Sequence, residues 1–231
     1  MASSSKSNRK KREHPISVRI ASKERKEGAC YPPSKAIDFQ ASLDVTWPTS
    51  SLIMNAIRTG PNYYERIGNS INLISIQYRA YVVENDASPN PVYLRQTIIY
   101  DKAPPGYMPS YDEIFRDTDP DGFENTDAQS HLNQDNIDRF IILMDKHTLL
   151  PTLQIKEGIW STLGAISPVR ETFQFEEEID LKGLRSVYKG NDPPILAEDF
   201  ATGAVYIFVT SNITGDRPYT LYVTARINFS D

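Results

Sequence analysis

Nine cations crowd the first 26 residues: Lys6, Arg9, Lys10, Lys11, Arg12, Arg19, Lys23, Arg25 and Lys26, against only Glu13 and Glu24. That segment carries +7. The other 205 residues hold 16 basic and 28 acidic side chains, a balance of −12, so the chain total of −5 conceals a basic arm on an acidic body. Clustered Lys and Arg displace counterions from phosphates and need no fold to do so. Arg9-Lys10-Lys11-Arg12 also has the makeup of a nuclear-import signal. No aromatic residue precedes Tyr31, so the arm is equipped to hold a nucleic-acid backbone without reading bases.

Other chemistry is sparse. His14, His131 and His147 lie far apart in sequence and form no His-x-His or His-x-x-x-His spacing. Cys30 is the single cysteine, which excludes an intrachain disulfide and a cysteine-based zinc site. No glycine-rich phosphate loop of either common type occurs. The expectation is a protein that is not an enzyme and uses no cofactor. Asp117, Asp119 and Asp121, ahead of Gly122, copy the first half of a calcium loop, but Ala128 stands where the bidentate Glu belongs. A solvated acidic loop is expected there, and no metal. Asn212 and Asn228 begin glycosylation triplets that read as chance matches. With no run of eighteen apolar residues and a polar, basic start, neither a membrane span nor a secretory signal is expected.

The elements behind these residues read as strands. From Lys35 the pattern has period two, with Ile37, Phe39, Ala41, Leu43, Val45 and Trp47 alternating with polar residues until Pro48. Ser70–Glu84 places Ile74, Ile76, Tyr78, Ala80 and Val82 on one face. Val92–Asp101 ends in Ala103-Pro104-Pro105-Gly106, a strong turn signal. A short helix is expected over Ser110–Arg116, with Ser110 as its N-cap. Asp138–Leu149 is apolar on both faces and reads as a central strand. A fifth strand is marked by Phe173, Phe175, Ile179 and Leu181, a short sixth by Gly183–Lys189, and a seventh by Ala204–Thr210. In the eighth, Tyr219, Leu221, Val223, Ala225, Ile227 and Phe229 alternate with polar or outward residues. Eight strands with almost no helix predict an all-β, single eight-stranded antiparallel jelly roll over 35–231, preceded by a disordered basic arm over 1–34. An immunoglobulin-type sandwich is the rival, but its Cys…Trp…Cys core is missing.

Several segments together resemble the capsid proteins of circular single-stranded DNA viruses of the circovirus-like, replication-initiator-encoding group. They are Ile57-Arg58-Thr59-Gly60, Arg66-Ile67-Gly68-Asn69-Ser70-Ile71, Arg95 with Ile98-Ile99-Tyr100-Asp101-Lys102, Pro105-Gly106 with Pro109, and Asp138-Arg139-Phe140 with Leu143 and Asp145. The resemblance implies a coat protein whose principal partner is itself, about sixty copies closing a small icosahedral shell. It further implies a lumenal arm packaging a single-stranded DNA genome, nuclear import receptors, assembly in the host nucleus, residence in the virion, and a host-cell surface receptor. Gly60, Arg66, Gly68, Asp101 and Arg139 are its structural motif residues. The two glycines suit positive φ or close approach, and Arg66 is expected to be a structural ion-pair donor ahead of a DNA contact. The competing readings are a host nuclear chaperone or nucleic-acid adaptor with an acidic body and basic tail, and a trimeric jelly-roll ligand.

Overall fold

The computed structural model describes residues 34–45, 49–84, 91–116, 128–150, 173–190, 194, 196–212 and 219–231. Its strands are β1 (Lys35–Asp44), β2 (Ser50–Ile53), β3 (Ser70–Glu84), β4 (Val92–Asp101), β5 (Phe140–Leu150), β6 (Phe173–Tyr188), β7 (Phe200–Thr202), β8 (Ala204–Ser211) and β9 (Tyr219–Ser230). They form two antiparallel sheets, ordered β1-β9-β3-β6-β7 and β2-β8-β4-β5. Apart from the three-residue β7, the pairs β1/β2, β3/β4, β5/β6 and β8/β9 each divide between the two sheets, and the first strand lies beside the last. That is a double-sheet jelly roll.

Alternation decides which side chains fill the space between the sheets. From the first sheet come Ile71, Leu73, Ile76, Tyr78 and Val82 of β3 and Leu221, Val223, Ala225, Ile227 and Phe229 of β9, all buried. Leu94 and Ile98 of β4 and Val205, Ile207 and Val209 of β8 face them. Polar bridges cross between the sheets, from the Tyr78 hydroxyl to Gln96 Oε1 at 2.5 Å and from the Tyr100 hydroxyl to the Arg185 carbonyl at 2.6 Å. Burial raises the Tyr78 phenol well above its ordinary value and keeps it a donor.

β8 is buried along its whole length, although only its alternate residues reach that core. The reason is a second layer. Described residues between β4 and β5 lie over the outer face of the second sheet, among them the short helix α1 (Tyr111–Ile114). Tyr111, Ile114 and Phe115 are buried there, above Arg95 and its neighbours. Ser110 precedes the helix as expected, and its amide donates to Glu113 Oε2 at 3.1 Å.

Three expectations are corrected, and one falls partly outside the described residues. β5 is not central but the edge of its sheet, paired with β4 alone. The apolar run Phe140–Met144 reports that both faces are shielded over that stretch, not that both edges are paired. The expected fifth and sixth strands are one, β6, because Lys182 (φ 49°) and Gly183 (φ 75°) form a bulge within it and do not end it. The register of β3 against β6 and β9 shifts between Leu73 and Ser75, which turns Ile74 out to 38% exposure, away from the face of Ile76. Finally, β1 is assigned only to Asp44; Trp47 and Pro48 lie outside the described residues. β2 and β7, four and three residues long, had no counterpart in the alternation pattern.

Candidate nucleic-acid and assembly surfaces

The segments that carry the resemblance meet in two ion pairs across β4 and β5. Arg95 donates through Nε and Nη2 to the two oxygens of Asp145, at 2.8 and 2.6 Å. Its Nη1 donates to the Ser130 and Ala128 carbonyls at 2.6 and 3.3 Å, and its guanidinium lies 3.7 Å from the Phe115 ring centre. Arg139 grips Asp101 in the same two-pronged way, with Nη2 at 2.7 Å and Nε at 3.1 and 3.2 Å, and reaches Glu113 through Nη1 at 3.2 Å. Asp101 is fully buried, and Arg95 is 3% exposed. Burial works against ionisation of Asp145, but the Arg95 bonds outweigh it and hold that carboxyl below its ordinary value. These are fastenings: each pair ties β4 to β5 or to the residue before it, and each arginine also reaches the covering chain, at Ala128 and Ser130 or at Glu113.

Arg66, expected to be an ion-pair donor, instead bonds main-chain carbonyls among the described residues. Fully buried, it donates from Nε to the Ile57 carbonyl at 2.8 Å and from Nη1 to the Gly68 carbonyl, and it lies 4.2 Å from the Tyr188 ring centre. The ion pair of this loop is its neighbour's, Arg58 Nε to Glu65 Oε1 at 2.7 Å. Gly68 has φ 81°. At Gly60 a Cβ would stand 2.1 Å from Glu65 Oε2, so close approach is what that position requires.

The outer face of the first sheet is a polar platform whose rows follow from the register. Asp38, Arg226, Gln77 and Glu178 form one row, Gln40, Thr224, Arg79 and Glu176 the next, and Ser42, Tyr222, Tyr81 and Gln174 a third. Arg226 bonds both oxygens of Asp38, at 2.7 and 2.9 Å, and these bonds lower the Asp38 carboxyl. Tyr81 and Tyr222 stack at 5.0 Å, 12° from parallel. The chain enters this sheet at Lys35, whose Nζ meets Asp231 at 2.5 Å and the Glu65 carbonyl at 2.9 Å.

Lys6, Arg9, Lys10, Lys11, Arg12, Arg19, Lys23, Arg25 and Lys26 lie outside the described residues, as do Cys30, His14, Asp117, Asp119 and Asp121. His131 and His147, far apart in sequence, border one open hollow together with Arg95 and Asp145. Among the described residues no three His, Cys, Asp or Glu side chains are grouped to hold a metal ion. Asn228 sits within β9 and donates to Ser75 Oγ at 2.9 Å. Sequence reasoning singled out Asp101 and Arg139 but gave no role to the Arg95–Asp145 pair, although both residues stand in the quoted segments. Nor did it mark Tyr63 and Tyr64, which are 62% and 44% exposed on the loop before β3.

No family model and no curated protein matches the chain. Among solved structures, a chain of desmodium yellow mottle tymovirus aligns over 100% of this chain and 93% of its own, at 13% identity and a TM-score of 0.31. A superposition that loose does not establish kinship; the jelly-roll assignment rests on the strand order of the two sheets.

Proposed function

We propose that this chain is a viral coat protein that closes into a small icosahedral shell and packages single-stranded DNA through its basic arm, in the manner of the circovirus-like group. The observation that carries the reading is the junction of two parts of opposite character. A segment of net charge +7 precedes β1 of a jelly roll whose chain is otherwise at −12. A body that acidic repels nucleic acid, so affinity for a genome resides in the arm. The body, in turn, is built for neighbours. Four strands, β1, β7, β2 and β5, end the two sheets, and Ile137 and Leu149 stand more than half exposed before and on β5. A closed shell covers such edges with copies of the same chain. The Arg9-Lys10-Lys11-Arg12 run fits nuclear import before assembly.

The test is particle formation. The purified full-length chain, mixed with single-stranded DNA across a range of salt, is examined by sedimentation velocity and negative-stain electron microscopy. Uniform spherical particles are expected. Monomers or dimers alone, at every salt and pH tried, count decisively against a coat protein.

A further inference from the structure

At the root of the arm lies an open groove of about 780 Å³, lined among others by Asp38, Ala56, Arg58, Tyr63, Tyr64 and Arg226. Its aromatic rings are unusually bare for their size, and they are held in place. The Tyr63 hydroxyl donates to the Ser34 carbonyl at 2.6 Å, the residue directly before β1. Arg58 lies 5.5 Å from the Tyr64 ring centre. The loop that carries both tyrosines is anchored from beneath by the buried Arg66. Both arginines at the groove are already matched by carboxylates, Arg58 by Glu65 and Arg226 by Asp38. The groove is therefore close to neutral on a body that is strongly acidic, and what it offers is aromatic surface and guanidinium planes. Planar, uncharged rings suit such a site better than phosphates do.

A source of such rings is close at hand. Lys26, the last cation of the arm, is eight residues from Ser34, a span of at most about 28 Å of chain. We propose that this groove is a stacking site for bases of the single-stranded nucleic acid whose phosphates the arm holds. The proposal rests on the packaging reading above and adds to it a division of labour. The arm supplies salt-sensitive charge contacts, and the groove supplies salt-insensitive stacking.

That division is measurable. The full-length protein, a Tyr63→Leu/Tyr64→Leu variant and a Tyr63→Phe variant are titrated against a labelled oligothymidylate by fluorescence anisotropy at several salt concentrations. The double variant is expected to bind roughly 5- to 150-fold more weakly, the loss of about one base–ring stack, with the slope of log affinity against log salt unchanged. Tyr63→Phe keeps the ring and should keep the affinity, although it gives up the bond to Ser34. Should the double variant lose its fold, Tyr63→Leu alone, at the more exposed ring, takes its place. Undiminished affinity without the rings overturns the proposal and leaves packaging intact, as does a lowered salt slope. If the variant keeps its oligonucleotide affinity but no longer forms particles, the groove receives a second copy of the chain and the proposal is likewise overturned. No binding by the unaltered protein sinks the packaging reading itself.

Discussion

Removing the charge of Asp145 should weaken the fastening of β5 to β4, and its cost can be worked from the contacts. Arg95 is 3% exposed, so Asp145→Asn leaves a buried cation without its counterion. Breaking a buried pair from one side costs about 3–5 kcal/mol in general. Two features reduce that here: the Asp145 side chain is a quarter exposed, and Arg95 keeps the carbonyls of Ser130 and Ala128. About 2–3 kcal/mol is expected for Asp145→Asn. Arg95→Met removes the same pair and also strips those carbonyls of their donor, for about 2–4 kcal/mol. Because both changes delete one interaction, the double variant should be less unstable than the sum by about 1.5–2 kcal/mol. Urea unfolding followed by far-ultraviolet circular dichroism, at protein concentrations too low for particles, measures all four corners of the cycle. Additivity within about 0.5 kcal/mol would refute the pairing as the fastening described.

Acid should act through the same carboxylate. Its folded pKa is depressed, so its contribution is complete above the ordinary value of 3.8 and fades as pH falls below it; the stability gap between native protein and Asp145→Asn should be flat at neutral pH and narrow below about pH 4. On β9, Val223→Asp buries a carboxylate among apolar neighbours and should cost about 4 kcal/mol or more, whereas Thr224→Asp, exposed and directly opposite Arg79, should stay within about 0.5 kcal/mol. Thermal melts that rank these two the other way would reverse the faces assigned to the sheet. Deleting residues 1–26 should leave the melting transition of the body in place and flatten the salt dependence of single-stranded DNA binding. That slope can reach about −6 if all nine cations touch phosphates.

The sequence disclosed most where one face of a strand meets water. β9 and most of β3 alternate because their outer face is solvated, and each inward residue could be named in advance. Pattern failed where a face is covered twice or a register slips. β5 looks central because its first five residues, Phe140–Met144, are buried or half-buried on both faces, and Ile74 changes sides because of a single irregularity. β2 is too short for any period to emerge from four half-buried residues. The ion pairs were invisible for another reason. Arg95 and Asp145 stand fifty residues apart, Asp101 and Arg139 thirty-eight, and nothing local records the register that brings them together. Tyr63 and Tyr64 are plain in the sequence; that the chain arriving from the arm passes beside them is a fact of topology alone.

The neighbour of β1 is β9, with Lys35 opposite Phe229, so β1 is completed by a strand made almost two hundred residues later. At ribosomal rates of about 5–20 residues per second, the interval between them is roughly 10–40 seconds. Throughout that time the nine cations upstream are synthesised and available, while their mounting point has nothing to pair with. On the packaging reading, nucleic acid can therefore meet the arm before the jelly-roll body is complete. Contacts this distant in sequence also make the closing step slow. Until it happens, the backbone groups of β1 that β9 will pair are an open edge, backed by the apolar side chains from Ile37 to Leu43, on which another unfinished chain can add a strand. Prompt completion by β9, or a chaperone holding that edge, decides between a folded chain and an aggregate.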